Sequence, residues 1–429
     1  MKLEDLINEY KKVYYTDDDE AIALVTANIV GCMLDTPPTW LYLIGPSSGG
    51  KSALIEVFDK VKHVTRVADL TPNTFLSAMG STNGQETSLL KKLGLKFVVT
   101  MKDFTTLLSK NDTDKTAILA QMREIYDGHF AKDAGNGKHV AWGEPNKGKA
   151  TFIMACTEEI YAIQDDAAGM GTRAVSYVLK PQDRVKMTKQ ALRNNNKLLG
   201  NVAHLQELFK EFVERKMDEC PAELPPIPED LEDDIIAVAN FASLSRSVVK
   251  RDYKGAKTLA LSAEMPTRMA KQLLSIAQLL TYINEGVLTE KYRKLVFKVA
   301  YDCISKQRRM TLEVLAKYNR INRSGAADYL NFPPERAQEW LEDLNMFRMC
   351  ERIKAKEKQY WRMPVDFRQV MIKYFGVTPE DKDLEGEEGG DQSAVGYYSD
   401  MPPDISYEEE ERKMAEVTQA EVDFNNIGP

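Results

Sequence analysis

The stretch Thr39-Trp40-Leu41-Tyr42-Leu43-Ile44-Gly45-Pro46-Ser47-Ser48-Gly49-Gly50-Lys51-Ser52 decides the fold of this chain. Residues 39–45 form an apolar and aromatic run, which reads as a buried strand. Residues 45–52 match GxxxxGK[ST] directly after that strand, and Lys51 to Val61 reads as a helix. In this context each residue type has a task. Gly45, Gly49 and Gly50 let backbone N–H groups curl round phosphate oxygens, and Pro46, Ser47 and Ser48 complete the loop. The N-terminus of the following helix adds positive partial charge. Lys51 reaches the β- and γ-phosphates, and the Ser52 hydroxyl can ligate Mg²⁺, so ATP and Mg²⁺ are the expected ligands.

Working outward, residues 1–36 read as helical, with Asp17 to Asp19 as N-terminal caps, and Pro37-Pro38 stops them. His63 to Val67 reads as a short strand, and a helix is expected after Thr71-Pro72. FVVTM (97–101), TFIMACT (151–157) and VSYVLK (175–180) read as further buried strands. Between them, Asp114 to Tyr126 reads as a helix ending at Gly128, and 130–150 as a glycine-rich hairpin or loop. Strands alternating with helices predict an α/β fold with a mostly parallel sheet. From about 185 the pattern is helical, crossed by the proline-rich LPPIPEDL (224–231). The resulting division is a helical segment 1–36, an α/β core 37–185, a helical region 186–306, a small C-terminal unit 307–378 and an acidic tail 379–429.

The charge supports that last boundary. The chain has 429 residues and a net charge of −8, with 65 acidic and 57 basic residues. Residues 379–429 hold 16 acidic and three basic residues, a net of −13, which leaves the rest at +5. A segment so charged and poor in apolar clusters is expected to be disordered, as a partner-docking or DNA-mimicking tail. Gln419, Val422 and Phe424 there resemble a sliding-clamp peptide. No apolar run is long enough for a membrane span, and the N-terminus lacks a secretory pattern. Five scattered cysteines without a CxxC pair argue against a disulfide framework or zinc knuckle and fit the cytoplasm.

A hydrolytic phosphate site needs an acid at the end of a neighbouring strand, and Lys102-Asp103-Phe104 offers Asp103. Asp103 is either the metal-organising or the water-polarising acid, with Glu124 or Asp127 as candidates for the second carboxylate.

Together these residues resemble an AAA+ P-loop ATPase. The resemblance implies that Thr157, at the end of TFIMAC, is the polar sensor 1 that contacts the γ-phosphate or its water. Gly171-Thr172-Arg173-Ala174 is similar to the segment whose arginine finger enters the neighbouring subunit's nucleotide. Met265-Pro266-Thr267-Arg268 opens a long helix similar to the sensor 2 helix of the lid. LAQMREIYDGHFAKDAGNGKHVAWG (119–143) resembles the helix and pre-sensor-1 hairpin of enhancer-binding ATPases and minichromosome maintenance helicases. The order of elements covers roughly residues 37–375 and resembles the latter helicases, without their N-terminal DNA-binding domain or an Asp-Glu pair. It implies a compact relative of the kind phages and mobile elements carry, acting on DNA as a ring, with a hexamer as the expected assembly. A helicase loader or replication initiator, and a protein-remodelling or regulatory ATPase, are the other two readings.

Nucleic acid has two expected seats. The unit 307–375 resembles a winged helix, and residues 305–375 carry 15 basic and nine acidic residues. Arg320, Arg323, Arg336, Lys354, Lys356 and Lys358 are the candidate contacts, with Tyr360 and Trp361 to pack or stack. In the hairpin, Lys132, Lys138, His139, Lys147 and Lys149, with Trp142, are candidates to track a backbone by charge and stacking. A replication partner for the tail completes the expected partners. Arg184, Lys186, Lys189, Arg193 and Lys197 read as a solvated helix face.

Overall fold

The computed structural model describes residues 1–77, 81–82, 85–133, 139–161, 173–251, 257–260, 263–355 and 358–386. The expected disorder of 387–429 lies outside them. The strands in chain order are β1 (Trp40–Ile44), β2 (Val64–Arg66), β3 (Ser81–Thr82), β4 (Gln85–Glu86), β5 (Lys96–Met101), β6 (Phe130–Asp133) and β7 (His139–Trp142). They continue with β8 (Lys149–Cys156), β9 (Ala174–Val178), β10 (Val249–Arg251), β11 (Lys257–Ala260), β12 (Glu351–Ala355) and β13 (Lys358–Arg362). One five-stranded sheet has the order β2-β5-β8-β1-β9, and every neighbouring pair is parallel. The loop-bearing strand β1 therefore lies between β8 and β9, with Leu43 opposite Ala155 on one side and Tyr177 on the other.

Side-chain alternation divides the interior into two cores. Leu41, Leu43, Val98, Ile153 and Ala155 face one, whereas Trp40, Tyr42, Phe97, Phe152 and Met154 face the other. Both faces are covered, which is why β1 reads as a continuous apolar run rather than an alternating one. The first core takes in helices Leu3–Val13, Asp19–Val30, Leu198–Asp218, Glu229–Ser245, Thr267–Ile283 and Glu290–Asp302. It continues into the C-terminal unit through Leu312, Leu315, Leu341 and Trp361. Helix Asp19–Val30 lies at its centre, buried at every position from Ala21 to Val30. The second core is closed by helix Asp112–Tyr126 and the β6–β7 hairpin.

Three elements differ from expectation. The N-terminal helical segment is two helices, because Asp18 caps the second one by accepting from the Ala21 N–H at 3.2 Å. The helix opened by Lys51 ends at Glu56, after which the chain continues in three-residue turns. No helix starts after Thr71-Pro72. Thr74 Oγ1 accepts from the Thr71 N–H at 2.8 Å, and this local bond competes with helix initiation.

The C-terminal unit consists of helices Lys306–Lys317, Arg323–Leu330 and Pro334–Met346, the antiparallel pair β12–β13, and helix Val365–Phe375. Residues 379–386, assigned to the acidic tail, are instead an ordered part of it. Glu380 N–H donates to Lys317 O at 2.7 Å, Leu384 N–H to Arg320 O at 3.0 Å, and Asn322 N–H to Leu384 O at 3.1 Å. Gly325 permits this approach, since a Cβ there would meet Leu384 O at 2.7 Å. Residues 1–386 form one compact unit, so 186–306 is no separate body from the sheet.

Candidate functional site

The loop after β1 is shaped by its backbone. Ser48 has φ 60° and Gly50 has φ 88°, both left-handed, and Gly49 N–H donates to Pro46 O at 3.1 Å. A Cβ at Gly49 would meet Pro46 O at 2.9 Å, so the tight curl requires glycine there. Lys51 begins its helix and is buried inside this curl, where Nζ donates to Gly45 O at 2.5 Å and Pro46 O at 2.7 Å. Desolvation lowers the Lys51 pKa, opposed by the electrostatic pull of Cys156 and Asp103. An anion at the loop's N–H groups would also favour the ammonium form.

The parallel sheet brings the ends of β5 and β8 beside this loop. Asp103 follows β5, is exposed, and its Oδ1 accepts from Thr105 N–H at 2.9 Å. Phe104 N–H donates to Ala155 O at 2.8 Å, which ties that turn to β8. Thr157 ends β8, and its N–H donates to Thr105 Oγ1 at 3.1 Å. Its own Oγ1 is buried without a hydrogen-bond partner. An orphaned hydroxyl between the strand of Lys51 and the strand of Asp103 fits a phosphate oxygen or a water. For a cation the donor set is small. The described residues hold no group of three or more His, Cys, Asp or Glu side chains placed to cage a metal. The Ser52 hydroxyl and the Asp103 carboxylate fit Mg²⁺ that is carried mainly by phosphates.

Beside the loop lies a cavity of about 400 Å³ that sequence reasoning missed. Tyr14, Tyr15, Ile22, Leu179, Met187 and Leu198 line it together with Lys51 and Ser52. Its walls are the break between the first two helices, the end of β9 and the helix Arg184–Asn194. The available signal was the aromatic pair Tyr14-Tyr15 between two helical patterns. Asp18 braces this wall, accepting from Tyr177 Oη at 2.6 Å and Lys180 N–H at 2.8 Å.

The remaining candidates fall elsewhere. Arg173 immediately precedes β9 and so lies at the opposite end of the sheet from Lys51, about 16 Å away by strand rise. It pairs with Asp127 at 3.2 Å, and its carbonyl accepts from Gln272 Nε2 at 2.5 Å. Arg268, one turn before Gln272, pairs with Glu264 at 3.4 Å, and both arginines act electrostatically on Tyr126. Arg173 and Arg268 therefore share one end of the molecule, remote from their own phosphate loop. Glu124 does not serve as a second carboxylate to Asp103 within one subunit. It is exposed, faces His129 at 3.5 Å, and lies one half-turn before Tyr126, which packs on Trp40 at the start of β1. Asp127 lies at the same far end.

Two hairpin candidates have structural tasks instead. Trp142 is buried, packs against Phe97 and donates Nε1–H to Gly94 O at 2.6 Å, so it offers no stacking face. Lys149 Nζ donates to Gly31 O, Leu34 O and Thr36 Oγ1 at 2.7–2.8 Å. Burial pushes its pKa down to about 8. Lys132 bonds Asn73 at 2.9 Å, His139 faces Asp133 at 2.7 Å, and Lys147 is exposed. Lys138 and Lys356 lie outside the described residues, as do Gly171 and Thr172.

In the C-terminal unit the candidate cations meet carboxylates. Arg320 pairs with Asp383 at 2.6 Å, Arg336 with Glu339 at 3.0 Å, Lys358 with Glu385 at 3.9 Å, and Arg323 with Glu335. Tyr360 and Trp361 are buried, and Tyr360 Oη donates to Glu385 at 2.6 Å. Lys354 is exposed.

All five cysteines are free, and no described helix is long and apolar enough to cross a membrane. No family model matches the chain. No curated protein matches it. Among solved structures the chain is similar to the crystal structure of a candidate ATPase from Cytophaga hutchinsonii, with 14% identity over 70% of this chain and 85% of that one, at a TM-score of 0.37.

Proposed function

We propose that the chain is an ATP-hydrolysing AAA+ motor acting on DNA, a ring-forming helicase or translocase. The observation that carries the nucleotide part is the enclosure of the Lys51 ammonium by the loop after β1, with the unpartnered Thr157 hydroxyl and the Asp103 carboxylate at the ends of the next two strands. Lys51 and the loop N–H groups would hold the β- and γ-phosphates, and Ser52 and Asp103 would hold Mg²⁺. Bound Mg²⁺ would supply charge neutralisation at the phosphates. The cavity lined by Tyr14, Tyr15 and Leu198 would take the base. Thr157 Oγ1 would orient the attacking water or the γ-phosphate. Arg173 and Arg268 are too far to serve their own loop, which supports their service to a neighbour's.

The DNA part rests on the winged-helix order of the C-terminal unit and on its basic balance. A second reading, a loader or initiator that uses ATP as an assembly switch, is favoured by one observation. Glu124 and Asp127 lie away from Asp103, so neither assists it in polarising water within a subunit. ATPase rate with and without single- and double-stranded DNA, together with a strand-separation assay, distinguishes the readings. Stimulation with unwinding supports the motor, and DNA binding without unwinding supports the loader. Absence of any DNA response at low salt supports a protein remodeller.

A further inference from the structure

Helix Arg184–Asn194 has no buried residue, and its outward face is both apolar and basic. Val185 is 61% exposed, Leu192 72% and Leu199, at the start of the next helix, 87%. They recur every seven residues, which places them in one stripe at intervals of about 10 Å. Arg184, Lys189, Arg193 and Lys197 flank the stripe, and residues 184–206 contain no acidic residue. A large exposed apolar stripe of this kind marks a docking surface rather than a merely solvated face.

The same chain carries a complementary surface. Helix Glu229–Ser245 turns Glu229, Glu232 and Asp233 to solvent, beside Ile236, which is 58% exposed. One surface is basic around apolar residues and the other is acidic around one. Their places in the fold also suit each other. Met187, Ala191 and Leu198 on the first helix line the cavity beside Lys51. The second helix ends at Arg246, which pairs with Glu264 at 2.6 Å, and Glu264 also pairs with Arg268. The acidic helix therefore belongs to the end of the molecule that carries Arg173 and Arg268, and the basic helix belongs to the end that carries the phosphate loop. A head-to-tail contact that brings one copy's arginines to the next copy's loop brings these two faces together.

We propose that the Val185–Leu192–Leu199 stripe is the docking surface for a second copy of this chain, seated by that copy's Glu229, Glu232, Asp233 and Ile236. This deepens the ring-forming reading above and rests on it. The contact is heterologous, so repeated use gives a closed ring or an open helix. Because the basic helix also walls the cavity, a bound nucleotide and the neighbour press on opposite faces of one element.

The test uses the full chain, with Mg²⁺ and a non-hydrolysable ATP analogue, by sedimentation velocity, with a fluorescent ATP analogue to measure nucleotide binding. K189E/R193E and E232K/D233K should each weaken assembly by about tenfold or more, since like charges then face each other, and each should bind nucleotide as the wild type does. The fourfold variant should assemble again. Rescue supports the pairing and also shows that both variants fold. Unchanged assembly in either charge reversal, or loss in both without rescue, overturns it. A wild type that binds nucleotide and stays monomeric also overturns it while leaving the nucleotide reading intact. Assembly with rescue in a chain that binds no nucleotide sustains the interface and sinks the ATPase reading.

Discussion

Asp383 clamps Arg320: its Oδ2 accepts from Nε at 2.7 Å and lies 2.6 Å from Nη2, while the guanidinium lies 4.6 Å from the Tyr360 ring centroid. Beside it, Glu380 meets Lys317 at 3.0 Å and Glu385 meets Lys358 at 3.9 Å. Three carboxylates of one extended segment thus stand where phosphates would stand on a nucleic-acid face. The variant E380Q/D383N/E385Q is expected to bind a DNA duplex about tenfold more tightly than the wild type at 50 mM salt. Its affinity should also fall more steeply with salt, by about 0.9 in log–log slope for each further phosphate neutralised. Fluorescence anisotropy at 50 and 200 mM salt checks this, and equal affinities would show that the segment does not compete with phosphate.

Thr157 carries the next prediction. A buried hydroxyl without a partner costs stability and is retained where a ligand uses it. Thr157→Val keeps shape and removes that oxygen. It should leave thermal stability unchanged or slightly raised, leave ATP affinity within about twofold, and lower turnover by about 10²-fold. A variant with normal turnover removes Thr157 from the mechanism.

Arg173 is expected to act in trans, because the length of β9 separates it from its own loop. Arg173→Ala should bind ATP normally and lose about 10³–10⁵ in turnover. Mixing it with Lys51→Ala, itself inactive, should restore part of the activity, since one interface then holds an intact loop and an intact arginine. Failure of the mixture to recover any activity, in particles shown to co-assemble, would falsify the assignment.

What was legible in the sequence follows from locality. The loop 45–52, its strand and the strand ends at Asp103 and Thr157 were readable because each depends on a short run of residues with one physical meaning. The cavity wall was not, because Tyr14, Leu179 and Leu198 come together only through packing of three distant segments. Trp142 and Lys149 looked like nucleic-acid contacts by type, but their partners Gly94, Gly31 and Leu34 are far along the chain. The acidic boundary at 379 was drawn from charge alone. Charge could not reveal that Leu384 pairs with the backbone of Arg320 and Asn322, which anchors the first eight residues of that segment.

Lys149 separates a structural lysine from a nucleic-acid one. Its ammonium closes the loop after helix Asp19–Val30 by donating to Gly31 O, Leu34 O and Thr36 Oγ1. Lys149→Met would leave these acceptors unmatched and should cost about 1–3 kcal/mol at pH 7, with DNA affinity unchanged. The pH dependence has a definite sign. Burial lowers the folded-state pKa to about 8, against an ordinary 10.5. Between these values the unfolded chain binds more protons at this site than the folded one, so the wild type gains stability as pH rises through the window. Lys149→Met lacks that gain. Urea denaturation of both proteins at pH 7, 8 and 9.5 should therefore show their stability difference widening with pH. A constant difference would mean that Lys149 keeps its ordinary pKa in the fold, and a loss of DNA affinity in the variant would return it to the nucleic-acid face.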